Sequence, residues 1–172
     1  CQYRGNIADF SGCVYRENAD LAGSIYEGAT DFSQSVWHGK ARLTGCMYFK
    51  NVNFASSTYR ERADFGGSTF NRDTDFSGST YRGWADFRNS TYQGRAGFTD
   101  SIYQNEVYFS GSTYEDKTNF SGSIFCGDVY YGKDRDNSNF SRFTECTPQF
   151  YNENSHQNTL FGSPNNNFIV DT

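Results

Sequence analysis

An eleven-residue phrase, x-Ala-Asp-Phe-Ser-Gly-Ser-Thr-Tyr-x-x, returns eleven times without a slip between Ile7 and about Gly127. A fixed period of this kind means that each unit buries its side chains only against its neighbours. One apolar column runs through Phe10, Leu21, Phe32, Leu43, Phe54, Phe65, Phe76, Phe87, Phe98, Phe109 and Phe120, with Tyr131 still in step. A second column is aromatic throughout: Tyr15, Tyr26, Trp37, Tyr48, Tyr59, Phe70, Tyr81, Tyr92, Tyr103, Tyr114 and Phe125. The two columns alternate at steps of five and six residues. On a helix turning about 100° per residue, such steps put successive rings on opposite sides, so no stripe can be buried and a helical supercoil is excluded. Short strands joined by tight corners suit the Gly, Ser, Thr and aromatic content.

Ala63-Asp64-Phe65-Gly66-Gly67 and Thr74-Asp75-Phe76-Ser77-Gly78, with the looser Ser79-Thr80-Tyr81-Arg82-Gly83, resemble the unit of the pentapeptide-repeat family: small residue, Asp or Asn, Leu or Phe, then two polar or small residues. One extra residue, such as Trp84, follows every second pentad. The resemblance runs from about Ile7 to Tyr131. It implies an all-β, right-handed quadrilateral β-helix in which the central residue and the small residue two before it point inward. The core ladder expected on this basis includes Phe10, Phe32, Phe54, Phe65, Phe76, Phe87, Tyr15, Tyr59, Tyr81 and Tyr92. The small sites agree, with Ala8, Ala19, Thr30, Ala41, Val52 and Ala63 in one column and Cys13, Ser24, Ser35, Cys46, Ser57 and Ser68 in the other.

Arg16, His38, Arg60, Arg82 and Gln104 recur at 22 residues, and a coil of 11 would have to enclose two rings in a very narrow section. A coil of about 22 residues is therefore expected, with coils stacked about 4.8 Å apart. After Tyr131 the register fails. Ser138-Asn139-Phe140-Ser141 echoes the phrase about two residues early, and the pattern then dissolves. Residues 1–131 are expected to form the solenoid, and 132–172, with Pro148, Pro164 and many Asn, an irregular C-terminal cap or assembly tail.

Composition narrows the function. No apolar run reaches membrane-spanning length. The net charge of −5 disfavours binding to nucleic acid through its phosphates. A single Met with abundant Ser, Thr, Asn, Gly and Tyr points to an extracellular or cell-surface protein. The chain opens on Cys1 rather than Met, which is expected of a secreted product with its leader removed. Cys1 also stands where a mature lipoprotein carries its lipid anchor. The five cysteines lack metal-ligand spacing. Cys1 with Cys13 and Cys126 with Cys146 are the candidate disulfides, each clamping one end of a rod, whereas Cys13 and Cys46 lie more than one coil apart. Asn89, Asn119 and Asn139 begin N-glycosylation triplets, although two of these arise whenever Asn replaces Asp before Phe-Ser.

No catalytic constellation is visible. His38 and His156 have no nucleophile or metal partner fixed by spacing, and neither a cofactor nor a metal site is expected. The Asp column, Asp9, Asp20, Asp31, Asp64, Asp75 and Asp86, reads as turn chemistry before it reads as a calcium site. The expectation is a non-enzymatic structural subunit of an extracellular filament or surface layer. It would join itself head to tail through its solenoid ends, with Phe168, Ile169 and Val170 adding a strand to the next subunit. Two alternatives remain. One is a DNA-mimicking pentapeptide-repeat protein that binds a topoisomerase. The other is an ice-binding or adhesive surface protein, suggested by Thr58, Thr69, Thr80, Thr91 and Thr113.

Overall fold

The computed structural model describes residues 1–132, 140–144, 147–164 and 170–171. Its strands are two or three residues long, and no described residue is helical. The first coil carries β1 (Gln2–Tyr3), β2 (Ile7–Asp9), β3 (Val14–Tyr15) and β4 (Ala19–Asp20), and each begins one of four parallel sheets. These sheets are faces 1 to 4 of a four-sided solenoid with about six turns. Partners lie 22 residues apart, as in Val52↔Thr74, Thr58↔Thr80 and Ala63↔Ala85. The 22-residue coil holds.

Each letter of the phrase has a mechanical role. The corner residue two after each Phe or Leu takes the left-handed conformation, as at Gly12, Gly67 and Gly78 (φ 65° to 66°), and Gln34, Ser56, Asn89 and Asp100 adopt it without glycine. The Asp before the ring closes the same corner, because its Oδ1 accepts an N–H two residues on: Ser33 N to Asp31 at 2.8 Å and Ser77 N to Asp75 at 2.8 Å. The inward serines tie each coil to the one before it. Ser79 Oγ donates to Phe54 O at 3.1 Å and accepts from Ser57 N at 3.2 Å.

The rings fill the remaining interior. Phe54, Phe76 and Phe98 stack at 4.9 and 5.1 Å, and Tyr59, Tyr81 and Tyr103 at 4.9 and 4.8 Å. Phe65 and Phe87 meet Phe76 edge-on at 5.1 Å, an arrangement that suits the ring quadrupoles. Phe32, Phe54, Phe65, Phe76, Phe87, Tyr59, Tyr81 and Tyr92 are buried, whereas Phe10 and Tyr15 are half-buried. The latter pair sits in the first coil, with a ring neighbour on one side along the stack.

Beyond Tyr131 the period fails but the columns continue. Phe143, not Phe140, enters the ladder. It stacks on Tyr114 at 4.6 Å while Phe140 is exposed, and Ser141 Oγ bonds Phe109 O at 2.7 Å as the earlier serines do. Phe150 stacks on Phe120, and Phe161 on Phe125 at 5.3 Å. The steps are 143 − 114 = 29 and 161 − 125 = 36 in place of 22. In the longer of these steps part of the added length is an antiparallel hairpin of Tyr151–Asn152 with Gln157–Asn158. Among the described residues faces 2 and 4 have six strands each, while faces 1 and 3 have eight and seven.

Candidate functional surfaces

With the core spent on packing, any function rests on the faces, the corners and the ladder edges. Faces 2 and 4 carry the outward Asp column. On face 2, Asp31, Asn53 and Asp75 floor a shallow groove that is walled by Asp73 and Arg95. A second concavity continues it from Gly97 to the hairpin at Tyr151. Gly97 keeps this groove open, because a Cβ there would press to 3.2 Å from Asp75 Oδ1.

Face 4 is different, because arginines neutralise its acids. Arg88 grips both oxygens of Asp86 at 2.9 and 2.7 Å, and Arg62 bridges Asp64 at 2.7 Å to Asp86 at 3.3 Å. Asp86 is only 4% exposed. Burial pushes the Asp64 carboxyl up, helped by the neighbouring Asp86 and opposed by Arg62. Arg62 also lies 5.4 Å over the Trp84 ring and Arg88 4.8 Å over Tyr108, which stacks on Tyr130 at 5.0 Å. On the exposed rim, Arg42 reaches Asp20 at 2.9 Å. Asp20 is held below the usual range by the Ala22 N–H and by Arg42, and Asp9 by its bonds to Ser11. Among the described residues no group of His, Cys, Asp and Glu is arranged to hold a metal ion.

Sequence reasoning missed this Asp-Arg-aromatic ladder. The signal was present: Arg62 and Arg88 flank Asp64 and Asp86, which are register partners.

The corner between faces 3 and 4 carries a file of basic side chains. Arg16, His38, Arg60 and Arg82 follow one another in successive coils, shown by His38 N to Tyr15 O, Arg60 N to Trp37 O and Arg82 N to Tyr59 O. Arg16, Arg60 and Arg82 are exposed and make no ion pair among the described residues. His156, at the hairpin turn, contacts Tyr151 Oη through Nδ1 at 3.0 Å. The two histidines are not brought together.

The candidate threonines divide between two faces: Thr69, Thr91 and Thr113 on face 1, and Thr58 and Thr80 on face 3. Their neighbours in the columns, Ile25 and Met47 on one and Val36 and Ile102 on the other, are apolar.

Cys1, Cys13, Cys46 and Cys126 are free thiols. The Cys1–Cys13 bridge is not formed, for a topological reason. Cys1 precedes β1 on face 1 and Cys13 precedes β3 on face 3, so they stand on opposite sides of the coil. Cys126 is exposed, and Cys146 lies outside the described residues. Asn89 is exposed at a left-handed corner, Asn119 is half-buried with Oδ1 accepting from Ser121 N, and Asn139 lies outside the described residues.

Of the three residues of the expected assembly contact, only Val170 is among the described residues. Val170 pairs with Ser141 of its own chain, and Asp171 with Arg142, as the outermost strand of face 1. Phe168 and Ile169 lie outside the described residues.

Residues 60–102, where the coils are most regular, match a family model described as pentapeptide repeats (9 copies). No curated protein and no solved structure matches the chain.

Proposed function

We propose that this chain, a pentapeptide-repeat protein, is a non-enzymatic structural subunit that works outside the cell by joining ladder edges end to end into a filament or surface layer. The observation that carries this reading is that the ladder accepts strands lacking the repeat. Ser141–Phe143, Leu160–Phe161 and Val170–Asp171 all pair in parallel at its C-terminal end. Such an edge recognises backbone spacing and a ring in the right place, which the edge of another subunit also offers. The extracellular placement rests on composition: one Met among 172 residues, with abundant Ser, Thr, Asn, Gly and Tyr. Light scattering and negative-stain electron microscopy over a range of concentrations test the assembly. Rods longer than one chain support it, and a species of 19.5 kDa at every concentration overturns it. Because Val170–Asp171 covers the face 1 edge from within, deleting residues 165–172 should lengthen the rods. Unchanged lengths would remove that edge from the joint.

A second reading, adhesion to an anionic surface, is favoured by the unpaired file of Arg16, Arg60 and Arg82. Like charges one coil apart repel and gain from an external counter-charge. Its test is salt-dependent retention on a carboxylated matrix, lost in Arg60→Ala/Arg82→Ala. The topoisomerase and ice-binding alternatives draw less support. Arginines occupy the face 4 acids that a DNA mimic would display, and the threonines form no single face.

A further inference from the structure

The interior holds a group of side chains that packing alone does not account for. Tyr26, Tyr48, Tyr59, Tyr81, Tyr92, Tyr103 and Tyr114 are no more than 1% exposed, yet no phenol oxygen among them has a protein hydrogen-bond partner. Buried hydroxyls are seldom left this way, since each forfeits its hydration for nothing. The inward serine two before a ring lies near the phenol, but no such pair meets hydrogen-bond geometry, and the serine protons are committed elsewhere. Ser57 and Ser79 spend their protons on the carbonyls of Phe32 and Phe54 and accept the amides of Ser35 and Ser57. Nor can one phenol bond the next in its column. Tyr59 and Tyr81 are related by a translation of 4.9 Å with rings 3° apart, and Tyr81 and Tyr103 by 4.8 Å at 0°, so their oxygens stand at about the same separation. Tyr26 with Tyr48 (4.9 Å) and Tyr92 with Tyr114 (4.8 Å) repeat the arrangement on face 1.

That separation is the span of one water. A molecule making two bonds of about 2.8 Å to oxygens 4.8 Å apart has an angle near 120° at its own oxygen, close to the geometry water prefers. We propose that the stacked phenols are water-binding sites, one molecule per coil step. They would form an internal file through Tyr59, Tyr81 and Tyr103 and shorter ones at Tyr26/Tyr48 and Tyr92/Tyr114. Buried waters of this kind need two to four polar partners. Successive phenol oxygens supply two of them. Phe70 stands between Tyr48 and Tyr92 in the face 1 column, and Phe125 follows Tyr103 in the face 3 column, so each of the three files ends at a ring without a hydroxyl. These phenylalanines also show that the columns accept Phe sterically.

The test is therefore a Tyr→Phe cycle in a site that tolerates Phe. Tyr81→Phe should lower the thermal midpoint, because two waters lose a partner. The double variant Tyr59→Phe/Tyr81→Phe should fall little further, since the water they share is already gone. A raised or unchanged midpoint in Tyr81→Phe would mean a dry, unsatisfied phenol and overturn the proposal. Simple additivity of the two single losses would also overturn it, because it would mean that each phenol is satisfied separately. Diffraction to atomic resolution reads the same point directly: density between successive phenol oxygens supports the file, and empty space there refutes it.

Discussion

The regular coils and the C-terminal section stand on the same four faces, yet they keep different parts of the phrase. Around Phe76 everything is present: the Asx bond at Asp75, the left-handed Gly78, the Ser79 bridge between coils and rings stacked above and below. Around Phe143, Phe150 and Phe161 the ring remains, with an inward hydroxyl before two of them, Ser141 Oγ on Phe109 O and Thr159 Oγ1 on Phe120 O at 2.7 Å. The spacing between phrases is free to vary. What the two regions share on faces 1 and 3 is thus a small residue, mostly Ser or Thr, two before a ring, and the Asp and Gly corners serve to make the connection short.

The two regions also differ in ring chemistry, and this sets the largest expected effect. The regular coils bury phenols, whereas the C-terminal rings are Phe143, Phe150 and Phe161. Burial pushes Tyr15 up to about 12 and drives the fully buried Tyr48, Tyr81 and Tyr114 further. A group whose folded pKa is raised contributes its stability in full below its unfolded pKa, near 10 for Tyr, and loses it as pH rises above that. Each buried phenol then costs about 1.4 kcal/mol per pH unit. Far-UV circular dichroism should show cooperative loss of the β signal above about pH 10, coincident with phenolate absorbance. Phenols ionising near their ordinary value with the β signal intact would remove the difference between the regions.

Ring truncation comes next. Phe76→Ala removes a fully buried ring with stacked neighbours on both sides and should cost about 3–5 kcal/mol in denaturant unfolding. Phe161 is half-buried and lies at the end of its stack, and Phe161→Ala should cost about 1–2 kcal/mol. Equal costs would mean that the C-terminal section is as tightly packed as the coils.

Much of this was legible before any coordinates. The resemblance of Ala63 to Gly67 and Thr74 to Gly78 to a known repeat unit implied the four faces, and the 22-residue recurrence of Arg16, Arg60 and Arg82 pointed to the coil, because a ladder writes its geometry into sequence one coil at a time. The C-terminal columns were missed because the period was followed rather than the pair. Ser141-Arg142-Phe143 and Thr159-Leu160-Phe161 both have the spacing of Ser79-Thr80-Tyr81. Gly83 was invisible for another reason. Its φ is ordinary, but a Cβ there would lie 2.4 Å from the Glu61 carbonyl carbon of the preceding coil, a contact between corners that periodicity does not report. Gly83→Ala should cost about 1–3 kcal/mol through this overpacking.

The smallest effect is expected at the corners that the C-terminal section does without. Asp75→Ala removes one Asx bond at an exposed site, leaving the Ser77 N–H to water, and should lower stability by about 0.5–1 kcal/mol. Asp75→Asn keeps the accepting oxygen and should be near neutral, as Asn53 already is in the adjacent coil, where it accepts from Ala55 N at 3.0 Å. Urea midpoints of the two variants separate the roles. If Asn costs as much as Ala, the carboxylate charge matters more than the turn, and the face 2 groove becomes an electrostatic feature. If only Ala costs, the Asp column is corner chemistry, as its absence from the C-terminal strands implies.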